Sequence, residues 1–239
     1  MRFCIDAGHN YAKYDTGAEG NGLREQDITF GIAEILKKLL VSAGHEVVMT
    51  RDAITDILGI SDNSSINARV KMCNQNNCDY LISIHCNSHT SIASGTEVLV
   101  YGRGGQAEKL AEKVLKEIVT DLGTINRGVK EKNVGVLRDT RCPAILVETA
   151  FINNPEEAKL LKNNQYEFAY AIYKGVCKYL GEPTKESEEE YGMLNEITVA
   201  DAKEILKNKV GLADETITFL ECYKYGEDLI KKIAKAVNQ

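Results

Sequence analysis

The sequence predicts an α/β fold: a twisted, mostly parallel or mixed sheet flanked by helices, followed by a small all-helical C-terminal domain. Three observations carry this expectation. Through residue 180 the apolar residues switch repeatedly between short strand-like runs and a helical period. After a charged segment the pattern becomes wholly helical. The 239 residues are 44% hydrophobic and 27% charged, the balance of an ordinary folded chain with a sizeable core. The implied division is a first domain over 1–181, an acidic linker over 182–192 and a helical domain over 193–239.

The elements follow in order. Arg2–Asp6 reads as a buried strand that runs into a polar loop at Gly8. From Gln26 to about Ala43, Ile28, Ile32, Ile35, Leu36, Leu39 and Leu40 recur at helical spacing, and Gly44 is the stop. Glu46–Thr50 is a strand, and Ile66, Val70 and Cys73 outline a helix over about 64–77. Tyr80–Ile84 and Thr96–Tyr101 read as strands, with a helix over 105–122 behind them. Val134–Leu137 and Ala144–Thr149 are strand-like. Pro155 opens a short helix with Glu156 and Glu157 in its first turn, and residues 166–180 close the domain as a helix. Strands alternating with helices imply a sheet covered on both faces. Beyond the linker, helices are expected from Thr198 to Gly211, over 214–224 and over 227–237. A unit of this size lies near the lower limit for independent folding, so it is expected to lean on a neighbour or to self-associate.

Charge and cysteine content narrow the function classes. The net charge is -6, and residues 182–192 hold one Lys against five Glu, so both flanking regions are near neutral. That leaves no electrostatic footprint for nucleic acid or an anionic membrane, while a polysaccharide partner stays open. The seven cysteines are odd in number and lack CxxC pairing, so they read as small buried hydrophobes in a reducing compartment. MRFCIDAGHN has no apolar leader and no stretch is long enough to span a membrane, so the expected location is the cytoplasm.

His9 follows the first strand in IDAGH, His85 follows another in LISIHCN, and Glu25 opens a helix in GLREQD. Residues at one end of neighbouring strands in an α/β sheet share a crevice. Two imidazoles and one carboxylate, with a fourth position left to water, form a catalytic zinc set; calcium or magnesium would want more oxygens. Spacing alone leaves structural roles open for both histidines. Glu148, in CPAILVETAF, follows a buried run, so its carboxylate is expected to emerge at a sheet edge, as a solvated terminus or as the base of metal-assisted hydrolysis. His45 and His89 read as surface residues, and Tyr11 and Tyr14 as surface or sugar-stacking ones.

The stretches IDAGHN…DTGAEGNGLREQDITFGIA, GHEVVMTR, INARVKMCNQNNCDYLISIHCNS and NRGVKEKNVGVLRDTRCPAILVETAFINNPEEAKLL resemble, in order, the zinc-dependent N-acetylmuramoyl-L-alanine amidases typified by bacterial autolysins and many phage endolysins. The resemblance covers nearly all of the first domain. It implies Zn2+ as cofactor, with His9, Glu25 and His85 as ligands and Glu148 as the catalytic glutamate. It also implies peptidoglycan as substrate and hydrolysis of the amide between N-acetylmuramic acid and L-Ala. Asn87 falls where the family usually has Asn, a candidate for orienting a ligand, and Arg127 and Lys130 fall in a matching segment. Asn10 departs from the usual Gly, and Cys73, Cys78 and Cys86 replace small residues.

The C-terminal segment more weakly resembles helical modules of clostridial-type phage lysins, which implies binding to a cell-wall polymer. A wall enzyme without a leader suits a phage endolysin held in the cytoplasm until lysis; a mother-cell autolysin and a zinc peptidase cutting within the stem peptide are the alternatives. The codons of Glu188, Glu189 and Glu190 are necessarily purine-rich and lie two residues ahead of Met193. They can act as an internal ribosome-binding site, giving a free 193–239 product that co-assembles with the full chain; a merely solvating linker is the competing reading.

Overall fold

In the computed structural model, residues 1–89, 93–184, 199–221, 229–231 and 233–234 are described. The chain divides into two units, Met1–Thr184 and Lys185–Gln239.

The first unit is built on β1 (Arg2–Ala7), β4 (Glu46–Met49), β5 (Tyr80–Asn87), β6 (Thr96–Val100), β7 (Asn126–Glu131) and β8 (Ala144–Phe151). They form one sheet in the order β4-β1-β5-β8-β6-β7, and a two-residue hairpin of β2 (Glu19–Gly20) and β3 (Leu23–Arg24) lies apart. β4, β1, β5 and β8 run parallel, β6 pairs antiparallel with β8, and β7 is parallel to β6. The expected mixed α/β sheet is therefore the observed one.

One face carries α1 (Glu25–Ser42), α3 (Gln106–Leu122) and α6 (Gln165–Leu180). Phe3, Ile5, Ile82, Ile84, Ile145 and Val147 meet the apolar stripes of these helices in the larger core. The other face carries α2 (Asp62–Gln75) and α4 (Gly135–Arg138), packed on Cys4, Leu81, Leu99 and Leu146 in a smaller core. The side-chain period of two explains the split: along β1, residues 3, 5 and 7 face one layer, and residue 4 the other. α5 (Pro155–Asn163) starts where Asn154 Oδ1 accepts from the amides of Glu156 and Glu157.

Four sequence expectations need correction. Val134–Leu137 is not a strand: the segment turns into α4, and the strand of this region is β7. Its NRGVKE sequence has one large apolar residue and no alternation, because β7 is an edge strand. His85 lies inside β5 rather than past its end. Glu148 is not at a sheet edge either, since β8 is interior. His45 is buried rather than exposed; it stands edge-on to Phe3, 5.2 Å between rings, with Nε2 3.1 Å from Glu182.

In the second unit α7 (Val199–Ile205) continues as a π-helical turn over Leu206–Val210, which Gly211 ends in the left-handed region at φ 71°. α8 (Asp214–Glu221) follows, and residues 229–231 and 233–234 are helical. Ala202, Leu206, Ile217, Ile230 and Ala234 form its small core. Thr198, where a helix is expected to start, most of the acidic linker, and Met193 with its glutamate run lie outside the described residues. Among the described residues, no helix is long and apolar enough to cross a membrane.

Candidate active site

The site forms at the C-terminal ends of β1, β5 and β8. A buried polar brace beneath it sets the loop after β1. Asp6 is buried and accepts from Thr50 Oγ1 (2.7 Å), Ser83 Oγ (2.6 Å) and Arg69 Nη1 (2.6 Å). Burial alone would raise its pKa, but the Arg69 guanidinium and the Ser83 hydroxyl hold it at about 2. Arg69 also donates to the carbonyls of Ala7 (2.7 Å) and His9 (2.6 Å). From α1's side, the buried Arg51 donates to the carbonyls of Ala7, Gly8 and Gln26. Two arginines thus fix successive carbonyls where the chain leaves the sheet. Asn10, fully buried, locks the loop further through Leu58.

Held this way, His9 adopts φ 66°, a left-handed backbone unusual for a residue with a side chain. Its Nδ1 donates to Asp15 Oδ1 at 2.7 Å, and Asp15 in turn accepts from Ser65 Oγ at 2.7 Å. His9 Nε2 is left facing inward. It lies 3.1 Å from Glu25 Oε1, as does His85 Nδ1, and the two ring nitrogens are 3.1 Å apart. Glu25 Oε1 also accepts from the Cys86 amide, and Oε2 from the Ala18 amide. Two glycines leave room for the rings: a Cβ on Gly8 would sit 2.6 Å from His85 Cε1, and one on Gly17 would sit 2.7 Å from His9 Cδ2.

His9, Glu25 and His85 thus offer three ligand atoms to one point, as a metal-binding set would. Three donors at zinc distances of about 2.0–2.1 Å on a tetrahedron stand about 3.3 Å apart, close to the observed triangle. The electrostatics agree. Burial would raise Glu25, yet His85 and His9 hold it well below the usual carboxylate range. Burial would lower His9, yet Asp15 and Glu25 push it up to about 9. A carboxylate this strongly ionised and, in His9, an imidazole this strongly drawn to positive charge suit a cation.

Glu148 is the register partner of His85 across the β5–β8 pair and of Glu97 across β6–β8. Its Oε2 is shielded from solvent and has no hydrogen-bond partner. Burial pushes its pKa up to about 7, with Glu25 and Glu97 adding to the rise and His85 and His9 opposing it. Arg127 and Lys130 are committed to Glu97, at 2.7 and 2.6 Å. Asn87 Oδ1 accepts from the amide of Ser88, and Asp15 is the residue that orients the His9 ring. Tyr11 and Tyr14 are exposed, with Arg24 over the Tyr11 ring, and the His89 amide donates to Asn153 Oδ1.

Residues 3–178 match the N-acetylmuramoyl-L-alanine amidase family. The chain belongs to that family. The amidase is 32% identical over 189 residues to the germination-specific N-acetylmuramoyl-L-alanine amidase of Bacillus subtilis, covering 74% of this chain and 79% of that one. It is 29% identical over 214 residues to the endolysin of Bacillus phage SPP1, covering 82% and 75%. Among solved structures it matches the CwlD amidase of Clostridioides difficile, described in complex with the GerS lipoprotein. The TM-score is 0.70 at 28% identity, over 75% of this chain and 98% of that one. The amidase is an enzyme of peptidoglycan, where N-acetylmuramoyl-L-alanine amides occur.

Proposed function

We propose that the amidase is a zinc enzyme, with His9, Glu25 and His85 holding the ion and Glu148 moving the proton, and that it hydrolyses the bond between the lactyl group of N-acetylmuramic acid and the first L-Ala of the stem peptide. The observation that carries this reading is the unpartnered, solvent-shielded Oε2 of Glu148 beside the His9–Glu25–His85 triangle. A buried carboxylate oxygen without a partner costs stability, and it is the arrangement a general base requires.

When bound, zinc supplies Lewis acidity: it acidifies water and polarises an amide carbonyl. The chain's own groups do the rest. Asp15 fixes the His9 ring so that Nε2 points inward. The Cys86 and Ala18 amides hold the Glu25 carboxylate. Glu148, with a pKa of about 7, accepts a proton from the attacking water at Oε2 and returns it to the nitrogen of the leaving L-Ala.

The biological setting we infer is host lysis by an endolysin, with residues 193–239 binding a cell-wall polymer. The likeness to the SPP1 endolysin, which covers 82% of the chain, supports the endolysin setting. The likeness to the sporulation-specific N-acetylmuramoyl-L-alanine amidase of Bacillus subtilis, 30% identical over 167 residues, favours a sporulation role as the second reading.

Mass spectrometry of purified peptidoglycan digested by the zinc-loaded enzyme, with a chelated control, tests the chemistry. Metal-dependent release of stem peptides beginning with L-Ala, leaving glycan free of peptide, is the expected outcome. Cuts within the stem would make it a peptidase, and equal release after chelation would remove the metal.

A further inference from the structure

Away from the amidase centre, three of the six described cysteines cluster and a fourth adjoins one of them. Cys4 comes from β1, Cys73 from α2, Cys78 from the turn after α2, and Cys142 from the loop before β8. Cys4, Cys73 and Cys78 are buried, and their sulfurs lie within 4.8 Å of one another. Cys142 is half-buried, with Sγ 3.6 Å from that of Cys73. The other two described cysteines, Cys86 and Cys177, are buried singly, as small hydrophobes usually are.

The surrounding backbone is shaped to bring these sulfurs together. Asn77 takes φ 49°, turning the chain so that the Cys78 amide donates back to the Cys73 carbonyl. Asn74, next to Cys73, clamps the other loop: its Oδ1 accepts from the Arg141 amide at 2.9 Å and its Nδ2 donates to the Asp139 carbonyl at 3.1 Å. Cys142 is thereby held against α2. A cavity of about 210 Å³ opens beside Cys73, Cys78 and Cys142 and is bordered by Arg141.

We propose that Cys4, Cys73, Cys78 and Cys142 form a second metal site, for a thiophilic divalent ion of the zinc class. Zinc–sulfur bonds of about 2.3 Å on a tetrahedron set sulfurs about 3.8 Å apart, near the Cys73–Cys142 separation. Three buried sulfurs form the floor, and half-buried Cys142 closes the site from the cavity side, which gives the ion its path in. All-sulfur donors select zinc over magnesium or calcium. The site ties β1, α2 and the loop before β8 together at the end of the strands away from the amidase centre. Gly8 lies four residue steps beyond Cys4, or roughly 13 Å along a strand, so the role is structural.

Cobalt loading of the reduced full chain tests this, because a sulfur-to-cobalt charge-transfer absorption cannot come from a His/Glu site. The expected result is that absorption together with a second equivalent of metal, both unaffected by His9→Ala. Cys78→Ser and Cys142→Ser should each lose the absorption and one equivalent while keeping amidase activity. Wild-type chain with fully reduced thiols and no sulfur absorption overturns the site, as does absorption that survives in both serine variants. Should the variants misfold, alkylation of the wild type decides: metal must protect Cys73, Cys78 and Cys142, reversibly by chelator. Unchanged alkylation, or a Cys73–Cys142 disulfide in place of bound metal, refutes the proposal.

Discussion

At the scale of single residues, the amidase centre is a set of groups held away from their ordinary protonation. Glu148 has a folded pKa of about 7 against an ordinary 4.5, so ionising it opposes folding. That penalty is absent below pH 4.5, grows between 4.5 and 7, and is constant above. Glu148→Gln should therefore raise the melting temperature of chelated protein at pH 8 but not at pH 4. The gain is at most about 3 kcal/mol, from 2.5 pH units at 1.36 kcal/mol each. The same substitution should cut turnover by about 10²–10⁴-fold while leaving zinc affinity intact. His9 gives the opposite sign: its pKa is raised to about 9, so below that pH a proton competes with the metal. Zinc affinity, read by competition with a chelator, should rise about tenfold per pH unit between 7 and 9. Asp15→Asn should flatten that slope and weaken binding at pH 9 by about 10–100-fold. An unchanged slope would show that Asp15 does not set the state of His9. His9 and Glu25 stand out in the sequence because one follows a strand and the other opens a helix, whereas His85 and Glu148 lie within β5 and β8 and are singled out by the family resemblance. Asp15 does not stand out, because it meets His9 only through the left-handed turn at His9 itself, which no spacing announces.

At the scale of elements, the brace under the loop decides whether the triangle forms. Arg69 on α2 joins Asp6 of β1 to the carbonyls that precede the metal-ligand candidates. Arg69→Met should cost about 3–5 kcal/mol, since it strands a buried carboxylate as well as removing hydrogen bonds. The denaturant midpoint reads this directly. Adding Asp6→Asn should recover part of the loss, and a double variant as unstable as the sum of its parts would deny the coupling. Strongly periodic elements were legible from sequence: α1, α3 and α6 bury one apolar stripe each, and β1, β5 and β8 are nearly continuous apolar runs. β7 was not, because an edge strand with half-exposed side chains need not alternate. The apolar run VGVL misled for the converse reason: it is buried on the α2 side as one short helical turn, and burial without length cannot distinguish the two periods. His45 was misread because its cover, Phe3 and Glu182, comes from distant points of the chain.

At the scale of the whole molecule, the proposal assigns chemistry to the first unit and targeting to the second. The first, Met1–Thr184, contains the complete sheet, both cores and all four residues proposed for the reaction. Nothing in the described geometry of the amidase centre draws on residues beyond 184. The second unit has a core of its own, five buried residues among those described, and the proposed contribution of this unit to activity is through where the enzyme sits. A wall-binding module raises the local concentration of the catalytic unit on an insoluble substrate but does nothing for a soluble one. A chain ending at Thr184 should therefore hydrolyse small soluble muropeptides at the full-length rate. On intact walls at low enzyme concentration it should act more slowly by about 10²-fold or more, the lower range of avidity gains. Parallel assays on the two substrates separate the effects, and the ratio of the two rates removes any difference in active fraction. If the truncated chain clears walls as fast as the full one, residues 185–239 do not target it. If it slows equally on soluble muropeptides, the second unit supports the fold or activity of the first rather than its location.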